Sequence, residues 1–313
     1  MNPLEFARKL VYNAFSITSW FYEKEFNIYK KNDKTPVTLA DLSSQIFINS
    51  QIRNSYADHG IISEEDATHL KQSIQNRIKK CYNSLESSGI AAFPHSSNLE
   101  KLVKYEGDLN SEYLWSVDPI DGTKGYVRGL SYAVGVCLFK NYEPFISAIA
   151  VPEYKEHPVA IFSAKRGQGA WCSYDNKEHK PIQVSNQKTL LDAKLTRSLH
   201  HIIGWEESFL QLAQINESIQ MDGMGKGALV ADGTVDIYFR PYPTKYQSIW
   251  DVGPIDLLIR EAGGYVRDFK GERLEYKGKK CIMSTRGYLA TNPLLMSKLL
   301  EILQNKELED KFL

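Results

Sequence analysis

The hexapeptide Asp118-Pro119-Ile120-Asp121-Gly122-Thr123 puts two carboxylates, a proline-locked φ, a glycine and a hydroxyl into one short stretch. Trp115 and Val117 precede it and the run Tyr132–Phe139 follows; both flanks are apolar and β-favouring. The polar cluster is therefore expected at the end of a buried strand, where two acidic groups are costly unless paired or metal-bound. Asp118 and Asp121 lie three residues apart, with Pro119 fixing φ between them. In a tight turn both carboxylates and an intervening backbone carbonyl can converge on a hard cation. Mg²⁺ prefers all-oxygen ligands of this kind, usually with substrate phosphate completing the shell. Gly122 and Thr123 offer backbone N–H groups to an anion. Asp-Gly is also a common turn signal, so spacing alone leaves a metal site and a capped turn both open.

The 313 residues suffice for a large core and two domains. Thirty-eight basic and thirty-eight acidic residues cancel, so no global field draws the chain to nucleic acid or a membrane. A mononucleotide pocket needs only a few local cations and stays open. Cys81, Cys137, Cys172 and Cys281 are far apart in sequence and read as buried apolar filler in a reduced protein. No apolar run approaches a membrane span, and Met1–Lys9 has no apolar signal region. These features predict a soluble cytoplasmic protein.

Leu4, Ala7, Val11, Ala14 and Phe21 recur at helical spacing and predict a helix over about 3–29. Thr38–Asp41 matches a capping box opening a second helix to Ala57, which gives Asp41 a purely structural alternative. A short helix is expected at about 67–83, amid loop signals that include Pro94–Asn98. Strands are expected at Tyr132–Phe139 and Phe145–Val151 about an Asn141–Pro144 turn, and a hairpin pairs Val159–Ala164 with Gly169–Ser173. Polar Pro152–Pro158 marks a boundary between an N-terminal α+β domain, 1–152, and a C-terminal α/β domain, 153–313. Further on come a helix Trp205–Ile219, a strand Val235–Phe239, a helix Pro254–Ala262, short strands Tyr265–Phe269 and Cys281–Ser284, and a last helix Pro293–Gln304.

Four further stretches bear on the hexapeptide. They are Lys34-Thr35-Pro36-Val37-Thr38-Leu39-Ala40-Asp41, Ile61-Ile62-Ser63-Glu64-Glu65, Lys124-Gly125-Tyr126-Val127-Arg128-Gly129, and Trp250-Asp251 with Gly263-Gly264 eleven residues on. In this order the chain resembles the lithium-sensitive, Mg²⁺-dependent phosphatases of the inositol monophosphatase superfamily, over about 34–264. Within it the resemblance is strongest to the 3′(2′),5′-bisphosphate nucleotidases of fungi and plants. It rests on Lys124–Gly129, on Tyr105-Glu106-Gly107, and on Arg240 before Trp-Asp.

The resemblance implies a fold that mixes α+β and α/β, a layered α-β-α-β-α sandwich with the active site between the two domains. It implies two to three Mg²⁺ ions held by Glu64, Asp118, the Ile120 carbonyl, Asp121 and Asp251. The family's nucleophile is a water at this metal cluster, activated by the residues matching Asp41 and Thr123. Read singly, Glu64 is equally a solvated turn residue with Glu65 the functional member, and Asp251 equally a helix cap. The substrate pocket implied by the resemblance takes in Gly122, Thr123, His200 or His201, Gly223, Lys226 and Arg240. The subfamily has Asp-Ser-x-x-Lys where this chain reads Asp222-Gly223-Met224-Gly225-Lys226, so a serine hydroxyl is missing and a side-chain hydrogen bond of ~1 kcal/mol is lost. Lys226 in such a loop can equally face solvent.

The expected activity is removal of the 3′-phosphate of adenosine 3′,5′-bisphosphate and of its 5′-phosphosulfate analogue, a reaction of sulfur metabolism. Its partner is a small nucleotide, with no nucleic acid polymer or membrane; a monomer is favoured. An inositol phosphatase is the enzymatic alternative, and an inactive nucleotide sensor the non-enzymatic one. Six intact residues, Asp41, Glu64, Asp118, Asp121, Thr123 and Asp251, weigh against a sensor.

Overall fold

A computed structural model describes residues 2–24, 28–31, 36–68, 70, 72–89, 98–200, 204–242, 246–276, 281–283, 286–305 and 308. Lys34, Thr35, Pro94–Ser97, His201 and Ser284 lie outside the described residues.

Helix α1, Pro3–Lys24, turns its apolar stripe inward, with Ala7, Val11, Ala14 and Ile17 fully buried. It ends short of the expected 29, because Ile28–Lys30 (β1) pairs antiparallel with Pro36–Thr38 (β2). Thr38 caps α2, Leu39–Ser55, as its capping box predicts. Strand β3 (Gly60–Ser63), helices α3 (Gln72–Ser87) and α4 (Leu99–Val103), and strand β4 (Tyr113–Asp121) lead to the hexapeptide turn and the one-turn helix α5, Thr123–Val127. Then come four long strands and a short one, β5 (Ala133–Lys140), β6 (Glu143–Tyr154), β7 (His157–Lys165), β8 (Gly169–Tyr174) and β9 (Lys180–Pro181). Asn141 and Tyr142 take positive φ between β5 and β6, the backbone a two-residue hairpin requires.

Strands β3 to β9 form one seven-stranded sheet in sequence order, with only β3 and β4 parallel. The boundary expected at 152/153 falls inside β6 of this sheet, and sheet membership changes only after Pro181. The polarity of Pro152–Pro158 reflects a hairpin tip, with Glu153, Lys155 and Glu156 at positive φ.

The rest of the chain supplies β10 (Lys194–Ser198), α6 (Glu206–Leu212), β11 (Glu217–Met221), α7 (Gly225–Ala231), β12 (Ile237–Pro241), β13 (Tyr246–Ser248), α8 (Ile249–Glu261), β14 (Tyr265–Asp268), β15 (Cys281–Met283), β16 (Gly287–Thr291) and α9 (Pro293–Leu303). The helix expected over 205–219 stops early: Gln214 turns at φ 54, and Glu217–Met221 becomes a strand parallel to β10. Helix α8 starts earlier than expected and carries Pro254 in its interior. A five-stranded sheet has the order β11-β10-β12-β16-β14.

Three apolar clusters define the layers. One joins α1, α2 and α3 to one face of the large sheet. The second joins the opposite face to α7, α8 and the small sheet. The third joins the small sheet's far face to α6 and α9. The result is the α-β-α-β-α sandwich. Cys81, Cys137 and Cys172 are buried free thiols within it.

Candidate active site

Strand β4 ends in the hexapeptide turn. The Ile120 N–H donates to Asp118 Oδ1 at 3.1 Å, folding the Pro119 turn back on itself. Helix α2 braces this turn with fully buried polar residues. Ser44 donates to the Pro119 carbonyl at 3.2 Å. Gln45 donates to the Glu65 carbonyl at 2.7 Å and accepts from the Glu65 N–H at 2.9 Å. The Glu64 N–H donates to the Val117 carbonyl at 3.1 Å, so backbone bonds fix the Glu-Glu turn beside the hexapeptide.

Helix α8 delivers Asp251 from its first turn. Carboxylate oxygens of Asp118, Asp121 and Asp251 all lie within 4.8 Å of one another. Burial, then the charges of Glu64, Asp121 and Asp251, pushes the Asp118 carboxyl well above the usual range. Burial and the Asp251 charge raise Asp121 to about 7, with Lys226 and Arg240 opposing. Burial and the Glu64 charge raise Asp251 to about 6. Three convergent oxygen donors that resist ionisation together fit a hard divalent cation, whose charge removes the repulsion. Glu64 faces the same cleft, while buried Glu65 does not line it. Lys31 bridges the two at 2.8 and 2.7 Å.

Asp41 is fully buried and does two things. Its Oδ2 accepts from the Thr38 N–H at 2.7 Å and the Thr38 hydroxyl at 2.5 Å, which is the structural cap. Its Oδ1 accepts from Thr123 Oγ1 at 3.2 Å; Thr123 lines the cleft, and Asp41 sits behind it. Burial lifts its carboxyl to about 6, against the Thr38 hydrogen bonds. Thr123 Oγ1 also lies 3.1 Å from the Ile120 carbonyl, so its one proton is shared between the two acceptors.

The opposite wall comes from the small sheet. Lys226 is buried, not solvated: its ammonium donates to the Gly223 and Met221 carbonyls at 2.7 and 3.1 Å and lines the cleft. Burial lowers it to about 8, with Asp121 opposing. Gly223 has φ 74, and a Cβ there would lie 2.6 Å from the Asp121 carbonyl oxygen. Gly122, at φ 91, packs in turn against the Gly223 N–H. The missing serine thus coincides with a close backbone approach that only glycine permits. His200 lines the cleft with both ring nitrogens engaged: Nδ1 lies 2.5 Å from Asp222 Oδ2, and Nε2 meets the Arg128 guanidinium. Arg240 stacks on Tyr242, its Cζ 4.3 Å from the ring centroid. Together these residues enclose a cleft of about 540 Å³.

A profile of the inositol monophosphatase family matches residues 3–308. The chain belongs to the inositol monophosphatase family. Relatives of this family member include the 3′(2′),5′-bisphosphate nucleotidase of Schizosaccharomyces pombe, 29% identical over 94% of each chain. That of Dictyostelium discoideum is 29% identical over 87% of this chain and 86% of its own. Among solved structures, the extragenic suppressor protein suhB from Bartonella henselae superposes with a TM-score of 0.71 at 19% identity, covering 98% of this chain and 100% of its own. CysQ from Bacteroides thetaiotaomicron gives 0.65 at 19%, over 93% and 97%. These superpositions establish the shared layered fold. Sequence reasoning assigned no role to the cleft residues Lys31, Asp222 and Tyr242 of this family member. Lys31 and Tyr242 carry no motif, and Asp222 stood inside a quoted one.

Proposed function

We propose that the chain is a Mg²⁺-dependent phosphatase that removes the 3′-phosphate of adenosine 3′,5′-bisphosphate and of its 5′-phosphosulfate analogue, leaving AMP or adenosine phosphosulfate. The observation that carries this reading is one cleft with two kinds of wall. Asp118, Asp121 and Asp251 form a carboxylate trio, and Lys226 and Arg240 face it. A substrate with two anionic groups matches both walls. The nucleotidase names of the relatives point the same way.

The trio, with Glu64 and the Ile120 carbonyl, would hold two to three Mg²⁺ ions. When bound, they supply charge neutralisation of the ester and acidification of water. Thr123 Oγ1 donates to Asp41 Oδ1, so a water hydrogen-bonded to Thr123 can pass its proton toward that carboxylate. The Thr38 cap holds the other oxygen and keeps Asp41 aimed. Gly122 and Thr123 line the cleft beside the trio, where the reacting phosphate would sit. Lys226 and Arg240 hold the phosphate that is not cleaved; His200, oriented by Asp222, faces the nucleoside.

Among the described residues no helix is long and apolar enough to cross a membrane. Three free buried thiols support a reducing, cytoplasmic setting. The deciding experiment is a phosphate-release panel of nucleotide bisphosphates, nucleotide monophosphates and inositol phosphates in Mg²⁺, with and without Li⁺. Fastest, Li⁺-blocked release from adenosine 3′,5′-bisphosphate is expected. Preference for inositol phosphates would overturn the reading.

A further inference from the structure

Tyr242 directly follows β12, and its N–H donates to the Arg286 carbonyl at 2.7 Å, which fixes the residue in place. Its hydroxyl donates to Asp251 Oδ2 at 3.0 Å. Its ring face carries the Arg240 guanidinium at 4.3 Å. Among the described residues Arg240 forms no ion pair, although Glu64, Asp118, Asp121 and Asp251 line the same cleft. Guanidinium and carboxylate pair strongly and bidentately when they meet, so something must keep them apart. The Tyr242 ring occupies the guanidinium's face, and the Tyr242 hydroxyl hydrogen-bonds one oxygen of Asp251, a carboxylate of the same cleft.

We infer that Tyr242 is a positioning residue that spaces the two walls of the cleft. Through its hydroxyl it anchors one Asp251 oxygen and so orients the carboxylate with its other oxygen toward a cation. Through its ring it holds Arg240 away from Asp251, so the guanidinium stays available to an anionic group of the substrate. The substrate half of this inference rests on the bisphosphate reading above; the Asp251 half does not.

The two halves separate in two variants. Tyr242→Phe keeps the ring and removes the hydroxyl. Tyr242→Leu removes both. Mg²⁺ binding, followed by tryptophan fluorescence without substrate, reads the Asp251 half; Trp250 adjoins Asp251 and reports on it. Tyr242→Phe is expected to weaken Mg²⁺ roughly 10-fold, the scale of one hydrogen bond to a charged group. Its ratio of KM values, adenosine 3′,5′-bisphosphate against AMP bearing only the 3′-phosphate, should stay within about twofold of wild type. Tyr242→Leu is expected to weaken Mg²⁺ likewise and also to raise that ratio roughly 10-fold, as Arg240 falls onto Asp251. In an Arg240→Ala background, Tyr242→Leu should leave the ratio unmoved, which a general loss of packing would not do. Unchanged Mg²⁺ binding in Tyr242→Phe overturns the inference, as does equal behaviour of the two variants. If wild type hydrolyses neither nucleotide, the substrate reading fails by itself, and the Mg²⁺ titration of Tyr242→Phe decides the Asp251 half.

Discussion

On one side of the cleft, Asp118 and Asp121 sit in a single turn, Glu64 is tied to it by a backbone bond, and only Asp251 arrives from afar. On the other side, His200, Asp222, Lys226 and Arg240 come from the ends of β10 and β11, from α7 and from β12. The acid wall is mostly local and braced from behind by α2. The cationic wall exists only because a sheet brings its strand ends together. A local wall tolerates little change in its own residues. An assembled wall is more exposed to changes in the backbone that spaces it.

The largest effect expected is on the acid wall. Asp121→Asn and Asp251→Asn should each abolish Mg²⁺-dependent turnover, by more than the roughly 10²-fold loss of a general base alone. Asp121 has a raised folded-state pKa, so its ionisation costs stability progressively as pH rises from the ordinary carboxylate range, and the cost is complete above about 7. In chelator at pH 8, Asp121→Asn should therefore melt higher than wild type. A lower melting temperature would mean the trio is not under mutual repulsion.

Next come Asp41→Asn and Thr123→Ala, expected to lower kcat by about 10²–10⁴-fold with little change in KM, read by steady-state kinetics. Asp41→Asn retains an oxygen for the Thr38 cap, so its melting point should stay close to wild type. A pure KM effect would return Asp41 to capping alone.

Lys226→Met tests the cationic wall while keeping its packing. It should raise KM for adenosine 3′,5′-bisphosphate by roughly 10–150-fold, the worth of a charge-assisted bond, and spare a single-phosphate substrate. Wild-type kcat/KM for the bisphosphate should fall as pH rises through about 8, where Lys226 loses its proton. The variant should lack that limb. Equal effects on both substrates would dissolve the two-wall distinction.

The smallest effect concerns backbone spacing. Gly223→Ser restores the residue type of the nucleotidase motif, yet its Cβ meets the Asp121 carbonyl at 2.6 Å and its φ is 74. It should destabilise by about 1–3 kcal/mol, the cost of such strain, measured by urea unfolding. A gain in bisphosphate affinity without loss of stability would show the turn can open.

This contrast also explains what the sequence made legible. The acids of the hexapeptide stood out because carboxylates beside β-favouring runs are expensive and so informative, whereas Glu64 and Asp251 were legible only through the order of motifs that carries the resemblance. The capping box at Thr38 was readable because its hydrogen bonds span three residues. Helix α7 and strands β10 and β16 were not readable: each is short, and its apolar character is set by partners far along the chain. Arg240 carried a resemblance but no local sign that an aromatic ring two residues on would hold it. Gln214 shows the same limit, since its left-handed turn ends a helix that periodicity alone would extend.

The Gly122–Gly223 contact fixes more than the turn that contains it. Because main chain rests on main chain there, the gap between the trio and Lys226 is set by hard backbone dimensions and not by adjustable side chains. The cleft therefore works as a gauge. On the proposed bisphosphate reading, it would measure how far apart two anionic groups lie on one molecule, since the gap cannot adjust by side-chain movement alone.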